Sequence, residues 1–186
     1  RRAGDMTKRI KHPITLFLLL FAGFPFAATA QEKQLVSRTS LGRMDVLSRA
    51  RLFEATIEKV AKSEGVDPLI LWTIAYNETR FRPWLTSPKN AQGLMQFMPA
   101  TAARFGLTNP YEPTSSLYAA AKYVKYLGRL FDWRLESVLA AYNAGEGTVS
   151  AYLYGRNLKS NGRLINASQR RTVNGVPPYK ETLGYV

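Results

Sequence analysis

The segment 67–79 carries the start signals of an α-helix and then places a carboxylic acid on the apolar stripe of that helix. Asp67 suits the N-cap, and Pro68 suits the first helical position. Apolar residues follow at helical spacing, at Leu71, Ile74 and Ala75. Glu78 is the next member of this series, so its side chain is predicted to face the core side at the C-terminal end of the helix.

A carboxyl group at position 78 is expected to have a raised pKa. Apolar surroundings disfavour its ionised form, and the negative end of the helix dipole acts in the same direction. A carboxylic acid that keeps its proton near neutral pH is suited to general acid catalysis. Taken alone, Glu78 has a second interpretation as a solvated side chain at a frayed helix end.

Helical periodicity dominates the rest of the chain. Further helices are predicted over 47–61, from Pro99 to a stop at Gly106, from Ser115 or Ser116 through 131, over 136–142, over 147–154 and from about Tyr179. A long ordered loop is predicted over 80–97, which contains two prolines, Asn90 and Gly93. No segment alternates convincingly as a strand would, so the predicted fold class is all-α.

The first 30 residues have the pattern of a secretory signal. Residues 1–5 precede Met6 and are interpreted as upstream sequence. Three basic residues then lead into an apolar run over 14–24, and a small-x-small motif ends at Ala30. The run is short for a transmembrane helix, which needs about 20 apolar residues. We expect cleavage near Ala30, export to the periplasm or beyond and no stable membrane anchor; the alternative is an uncleaved anchor.

Residues 31–186 contain neither histidine nor cysteine, because the single histidine is His12 and the chain has no cysteine. Such a chain cannot build a Ser-His-Asp triad, a Cys-His pair or an ordinary zinc site. We therefore expect no metal and no cofactor. Any chemistry must depend on carboxylates, tyrosine, lysine or amides.

The chain is strongly basic. Its net charge is +13, and loss of 30 residues with five basic and one acidic side chain leaves +9. A surface of this kind attracts a polyanion such as nucleic acid, anionic lipid or a carboxylate-bearing cell wall, and an export signal favours the wall. The stretch 155–175 is predicted to be a basic loop that is either solvated or in contact with substrate. Its unopposed cations are Arg156, Lys159, Arg163, Arg170 and Arg171.

Four sequence blocks together resemble a known enzyme family. They are ET at 78–79, GLMQFMP at 93–99, AAYNAG at 140–145 and PYKETLGYV at 178–186. In order and spacing they resemble the catalytic domain of family 1 lytic transglycosylases, the soluble lytic murein transglycosylase type with a goose-lysozyme-like fold. The resemblance covers roughly residues 60–186.

The resemblance implies a domain organisation and a reaction. A polar lead-in over 31–45 is expected to precede a catalytic domain over 46–186. The implied reaction cleaves the MurNAc-β-1,4-GlcNAc bond of peptidoglycan and leaves 1,6-anhydroMurNAc ends. Glu78 is implied as the single acid and then base, with Tyr142 beside it. The implied substrate contacts are Thr79, Ser87, Gly93, Leu94, Met95, Gln96, Met98, Asn143, Ala144 and Glu181.

The chemistry of the GLMQ block fits such contacts. Gly93 lets the backbone approach a glycan, Met95 offers an apolar surface to a sugar ring, and the Gln96 amide can bond an N-acetyl group at both ends. The alternative is a turn followed by core Leu and Met. Two positions depart from the family pattern, since Thr79 stands where Ser is usual and Asn90 where Gly is usual. Asn tolerates a left-handed backbone, so the turn is expected to be kept.

Three other functions compete with this one. They are a goose-type lysozyme hydrolase, an inactive peptidoglycan-binding module of a secretion or conjugation system, and a basic nucleic-acid binder. The export signal and the lack of a helix-turn-helix cue disfavour nucleic acid. We expect glycan strands as the partner and a monomer, and the sequence leaves open whether a secretion or conjugation apparatus recruits the protein. Four other carboxylates are alternatives to Glu78 for the catalytic acid and are interpreted as solvated surface charges: Glu112, Asp132, Glu136 and Glu146.

Overall fold

The computed structural model describes residues 38–160, 163–166 and 171–186. The predicted signal sequence and the start of the lead-in lie outside these residues. In chain order the helices are α1 Arg38–Arg43, α2 Val46–Arg51, α3 Glu54–Glu64, α4 Pro68–Thr79, α5 Pro99–Arg104, α6 Pro113–Leu130, α7 Leu135–Ala144, α8 Glu146–Tyr154 and α9 Lys180–Leu183. Two strands, β1 Asn157–Ser160 and β2 Arg163–Asn166, and a 3₁₀ turn Val173–Gly175 separate α8 from α9.

The all-α class is confirmed for the body of the fold, with one local exception. Strands β1 and β2 form an antiparallel hairpin in which Asn157 pairs with Asn166 and Ser160 pairs with Arg163. The loop prediction for 155–175 is wrong over these eight residues. The sequence between the strands is Asn-Gly, a pair that strongly favours a tight hairpin turn. The Asn-Gly pair therefore indicated a hairpin here, although the four-residue strands show no clear alternation of apolar and polar residues.

The core is built around α6. This helix packs on α3, α4 and α7. It begins at Pro113, two or three residues before the predicted start at Ser115 or Ser116. The Glu112 side chain caps it by accepting hydrogen bonds from the backbone N–H groups of Thr114 and Ser115. Fully buried side chains from the four helices form the centre, among them Ile57, Val60, Leu71, Ile74, Leu117, Val124, Leu127 and Val138. Burying each large aliphatic side chain contributes about 1.5 to 3 kcal/mol.

The N-terminal part of the domain differs from the prediction in two ways. The polar lead-in contains α1, and the single helix predicted over 47–61 is broken at residues 52 and 53. Leu47 is 69% exposed, whereas Arg49 on the same short helix is only 2% exposed. Its guanidinium donates hydrogen bonds to the carbonyl oxygens of Leu41, Met44 and Arg80. These bonds explain how a buried cation is tolerated although no carboxylate of the described residues forms an ion pair with it.

The C-terminal segment closes the fold beside the end of α4. Asn77 Nδ2 donates to the Tyr185 carbonyl oxygen at 3.4 Å. Thr182 Oγ1 donates to Asn143 Oδ1 at 2.8 Å, which joins α9 to α7. The described residues all belong to one unit, residues 36–186. Within them, no helix combines the length and apolarity needed to cross a bilayer.

Candidate active site

Glu78 lies in the last turn of α4, as the sequence predicted. Asp67 caps the start of this helix by accepting a hydrogen bond from Leu69 N at 2.8 Å, and Arg80 ends it in a left-handed conformation with φ of 51°. The Glu78 side chain is partly buried and opens into the cleft described below. Burial raises its pKa from 4.5 to about 7, the charge of Glu181 adds to the rise, and a hydrogen bond from Tyr185 opposes it. The carboxyl group therefore holds its proton in part at neutral pH.

Glu78 opens into a cleft with a volume of about 630 Å³. A neighbouring pocket of about 310 Å³ shares five lining residues with this cleft. The shared residues are Lys89, Gln96, Met98, Tyr142 and Asn143. Because the two spaces have these walls in common, they form one groove, which suits an extended chain better than a small compact ligand.

Seven of the predicted site residues line the main cleft. They are Glu78, Ser87, Gln96, Met98, Tyr142, Asn143 and Glu181. Ala144 lines the neighbouring pocket. These side chains come from α4, from the loop 80–98 that leads into α5, and from α7 and α9, so the groove depends on segments that are far apart in the sequence.

Four of the predicted substrate contacts are buried and do not line the groove. Leu94 and Met95 are fully buried, and Thr79 is 2% exposed. The Thr79 hydroxyl bonds the carbonyl oxygens of Ala75 and Leu94 at 3.2 and 2.9 Å, so it fastens α4 to the loop. The alternative interpretation of the GLMQ block, a turn followed by core Leu and Met, is the correct one for Leu94 and Met95.

Gly93 is required for a different reason from the one predicted. Its φ is 75°, and a Cβ at this position would lie 1.7 Å from the Pro110 carbonyl oxygen. The glycine therefore allows the loop to pack against the segment before α6 and does not serve an approach to glycan. The exposed apolar surface predicted for Met95 is instead provided by Met98, which is 44% exposed and lines both parts of the groove.

Gln96 is held by its own loop. Its Nε2 donates to the carbonyl oxygens of Gly93 at 2.9 Å and Leu85 at 3.3 Å, and its backbone has a φ of 49°. The prediction that both ends of the amide bind substrate is therefore wrong for the nitrogen. The amide oxygen accepts no hydrogen bond from the described residues, so it is the end that can receive an N–H or O–H donor from a ligand.

Two tyrosines lie close to Glu78, and they have different partners. Tyr185 donates a hydrogen bond of 2.9 Å to Glu78 Oε1. Tyr142 donates to the Met95 carbonyl oxygen at 2.9 Å. Burial and the nearby charge of Glu78 raise the pKa of its hydroxyl, so the hydroxyl keeps the proton that it donates in this bond. The resemblance implied Tyr142 as the tyrosine that acts beside Glu78, but the tyrosine hydroxyl that bonds the Glu78 carboxyl group is that of Tyr185. The terminal block contained Tyr185, but no local pattern in it indicated a contact with α4.

The turn before the GLMQ block forms as expected. Ser87 N donates to the Ala91 carbonyl oxygen at 2.8 Å, and Asn90 N donates to the Ser87 carbonyl oxygen at 2.9 Å. Ser87 Oγ accepts from Ala91 N at 3.0 Å. Asn90 has a φ of 66°, so the prediction that Asn keeps a left-handed turn here is confirmed.

Glu146 was interpreted as a solvated surface charge, and this interpretation is wrong. It lines the second part of the groove and accepts hydrogen bonds from Arg104 at 2.6 Å and Tyr123 at 2.8 Å. Burial alone would raise its pKa, but the bonds from Arg104 and Tyr123 outweigh it, and the pKa is lowered. Glu146 is therefore a fixed anion and not a second proton donor. In the part of the chain that the structure describes, no acidic cluster has the arrangement of a metal site.

Comparisons with known proteins agree with this architecture. A family model described as "Transglycosylase SLT domain" matches residues 55–163. Membrane-bound lytic murein transglycosylase F of Pseudomonas fluorescens is 34% identical over 101 residues, which are 51% of this chain and 21% of that protein. The transglycosylase of Enterobacteria phage PRD1 is 35% identical over 100 residues, which are 53% of this chain and 37% of that protein.

A solved structure shows the same fold. The inactive mutant of lytic transglycosylase Slt from Pseudomonas aeruginosa matches with a TM-score of 0.54 and 26% identity, over 71% of this chain and 22% of that one. The chain spans about a fifth to two fifths of the length of these three proteins. With a lysozyme-like helical fold and a family match over more than half of its residues, the chain belongs to the transglycosylase SLT domain family.

Proposed function

We propose that the protein is a peptidoglycan lytic transglycosylase that cleaves the MurNAc-β-1,4-GlcNAc bond and forms 1,6-anhydroMurNAc ends. The observation that carries this proposal is the Glu78 carboxyl group, which faces an extended groove with its pKa raised to about 7. A group with this pKa gives up a proton and takes one back near neutral pH.

In the first step, protonated Glu78 donates its proton to the oxygen that bridges the two sugars. The bond from this oxygen to the MurNAc anomeric carbon breaks, and positive charge develops on the MurNAc ring. Burial keeps Glu78 neutral before the step, and the Tyr185 hydrogen bond stabilises the carboxylate that the step produces.

In the second step, the ionised Glu78 acts as a base. It takes the proton from the C6 hydroxyl of the same MurNAc, and O6 bonds to the anomeric carbon to close the 1,6-anhydro ring. Water is not consumed, and Glu78 regains its proton. This sequence needs one carboxyl group that is proton donor and then acceptor, which a pKa near 7 favours.

The groove supports a polymeric substrate. Met98 offers an apolar surface to a sugar ring, and the Gln96 amide oxygen is available to an N-acetyl N–H or a sugar hydroxyl. Relatives named lytic murein transglycosylase or transglycosylase point to the same substrate class. The signal-like pattern at residues 6–30 supports action in the periplasm or outside the cell.

One observation favours a second candidate, a goose-type lysozyme that uses water as the acceptor. Glu181 is a second carboxylate in the same cleft as Glu78. A pair of carboxyl groups on either side of a glycosidic bond is the usual equipment of a hydrolase. In that mechanism Glu181 assists the water, and the product has a reducing end.

Mass spectrometry of the muropeptides released from purified sacculi separates the two mechanisms. A lytic transglycosylase yields products with 1,6-anhydro ends, which are lighter by one water than the hydrolysis products. Reducing ends would establish the lysozyme instead. No release by the folded protein, together with binding to sacculi, would leave an inactive wall-binding module.

A further inference from the structure

Two cations, Arg80 and Lys89, line the cleft that contains Glu78, and neither has a role in the proposed chemistry. They come from different segments, Arg80 from the end of α4 and Lys89 from the turn at 87–90. Both side chains are exposed. Among the described residues that line this cleft, the carboxylates are Glu78 and Glu181.

These cations do not serve as counterions for the two carboxylates. Among the described residues, neither Arg80 nor Lys89 forms an ion pair within 4.0 Å. A close cation would lower the pKa of Glu78, yet that pKa is raised, by burial and by the charge of Glu181. Neither charge is paired with a carboxylate of the described residues, so both are available to an anion that is not part of the chain.

The backbone that carries each cation is held in place. Arg80 has a left-handed conformation; its N–H donates to the carbonyl oxygen of Tyr76 at 3.0 Å, and its own carbonyl oxygen accepts from Arg49 Nε at 3.0 Å. Its guanidinium lies 3.7 Å from the centre of the Tyr76 ring, so the planar group is stacked. Lys89 lies at the third position of the hydrogen-bonded turn from Ser87 to Asn90. Fixed backbones and one stacked side chain reduce the entropy lost when a ligand binds.

We propose that Arg80 and Lys89 form a carboxylate-binding site on the wall of the groove, which engages an acidic substituent of the glycan strand. The inference rests on the proposed function, since it names the part of a peptidoglycan strand that this site recognises. Arg presents a planar fork that matches a carboxylate, and Lys adds a second charge. A neutral sugar polymer can accept hydrogen bonds from these side chains, but it carries no anion that would pair with either positive charge.

Peptidoglycan offers such a carboxylate in two places. In strands that carry peptides, the lactyl group of MurNAc is amide-bonded and the free carboxylates are on the peptide. In strands stripped of peptide, the lactyl carboxylate itself is free. The chemistry of recognition is the same, and the experiment below separates the two sources.

The test measures KM and kcat on four strand preparations: peptide-bearing and stripped strands, each with free carboxylates and each after conversion of the carboxylates to amides. The protein variants are Arg80→Gln, Lys89→Gln and the double variant. Arg82→Gln is the matched control, because it removes the same charge two residues from Arg80 and does not line the groove. Arg80→Lys and Lys89→Arg keep a positive charge at each position. If they lose as much activity as the Gln variants, the loss comes from misfolding and not from the missing charge.

The double variant is expected to raise KM on carboxylate-bearing strands about 3- to 10-fold, with kcat and the KM on amidated strands unchanged, since each exposed contact is worth a few-fold in affinity. A rise on peptide-bearing strands identifies the peptide carboxylate, and a rise on stripped strands identifies the lactyl carboxylate. The difference in KM between the double variant and the wild type should become smaller as salt is added. An unchanged KM, or an equal rise on free and amidated strands, overturns the carboxylate site.

Failure of the proposed function is distinguishable from failure of this site. If the wild-type protein cleaves none of the four preparations, the lytic activity is refuted. Cosedimentation with insoluble sacculi, before and after amidation of their carboxylates, then tests the site directly. The carboxylate site is supported if the double variant binds untreated sacculi more weakly than the wild type does, while the two proteins bind amidated sacculi equally. It is overturned if the double variant and the wild type bind untreated sacculi equally.

Discussion

The hydroxyl of Tyr185 donates a hydrogen bond of 2.9 Å to Glu78 Oε1, across a separation of 107 residues. The bond joins the end of the chain to the last turn of α4. It lowers the pKa of Glu78, while burial and the charge of Glu181 raise it. The proton affinity of the proposed catalytic group is therefore set by opposing influences that single substitutions can separate.

Tyr185→Phe removes the hydrogen bond and keeps the ring. Without this donor the pKa of Glu78 should rise above about 7, so the alkaline limb of the kcat/KM profile should move to higher pH. The loss of orientation should also lower turnover by about 10-fold. The measurement is a pH–rate profile on soluble glycan strands.

Tyr142→Phe is the matched control for this change. The Tyr142 hydroxyl donates to the Met95 carbonyl oxygen, so its removal should leave the alkaline limb in place and cost about 1 kcal/mol of stability. If Tyr142→Phe moves the limb and Tyr185→Phe does not, the assignment of the two tyrosines is reversed.

Glu78→Gln should abolish the chemistry without unfolding the protein. Gln has the same size and can still accept the Tyr185 hydrogen bond, but its amide has no acidic proton to transfer to the glycosidic oxygen. Glycan release should fall by at least about 10²-fold. Glu58→Gln on the exposed face of α3 removes one charge elsewhere and should retain full activity. Near-normal lysis by folded Glu78→Gln protein would show that another group is the acid.

The features that the sequence predicted well are those with local causes. The cap at Asp67, the proline that follows it and the spacing of Leu71 and Ile74 are sufficient to place α4 and to bring Glu78 to its end. The left-handed turn at Asn90 is likewise a property of one residue type. Such features require no knowledge of distant parts of the chain.

The features that were missed depend on tertiary contacts. Leu94 and Met95 are buried while Met98 is exposed, and an irregular loop has no period from which to predict this difference. The contact of Tyr185 with Glu78 and the bonds of Glu146 with Arg104 and Tyr123 join segments that no sequence pattern relates. The hairpin is different, because its Asn-Gly pair was a usable signal.

Gly93→Ala should destabilise the fold. The added Cβ would lie 1.7 Å from the Pro110 carbonyl oxygen, and the backbone φ of 75° is unfavourable for alanine. The free energy of unfolding should fall by about 2 kcal/mol or more, measured by urea denaturation. Gly147→Ala in α8 is the control, because nothing lies within 4 Å of its Cβ position, and it should be neutral or stabilising by up to about 1 kcal/mol.

The stability of the wild-type protein should depend on the ionisation of Glu78. Its pKa is about 7 when folded and 4.5 as a reference for the unfolded chain, so the folded state binds the proton more tightly. Stability from this group is therefore greatest below pH 4.5 and is lost as pH rises to about 7. Glu78→Gln removes the cost of a buried charge.

The unfolding free energies of Glu78→Gln and the wild-type protein should thus be similar at pH 4.5. At pH 8 the variant should be more stable by about 1 to 3 kcal/mol. Denaturation at several pH values checks this, with Glu58→Gln as the exposed control. Parallel stability curves for Glu78→Gln and the wild type would mean that Glu78 has an ordinary pKa.

Glu181→Gln tests whether the second carboxylate of the cleft takes part in the reaction. Its charge raises the pKa of Glu78, so its removal should lower that pKa and move the alkaline limb of the pH–rate profile to lower pH, opposite to the effect of Tyr185→Phe. If Glu78 is both acid and base, kcat at the pH optimum should fall by less than about 10-fold, and the products should retain 1,6-anhydro ends. A loss of about 10³-fold in kcat, with reducing ends in the wild-type products, would instead assign Glu181 to activation of a water molecule and make the protein a hydrolase.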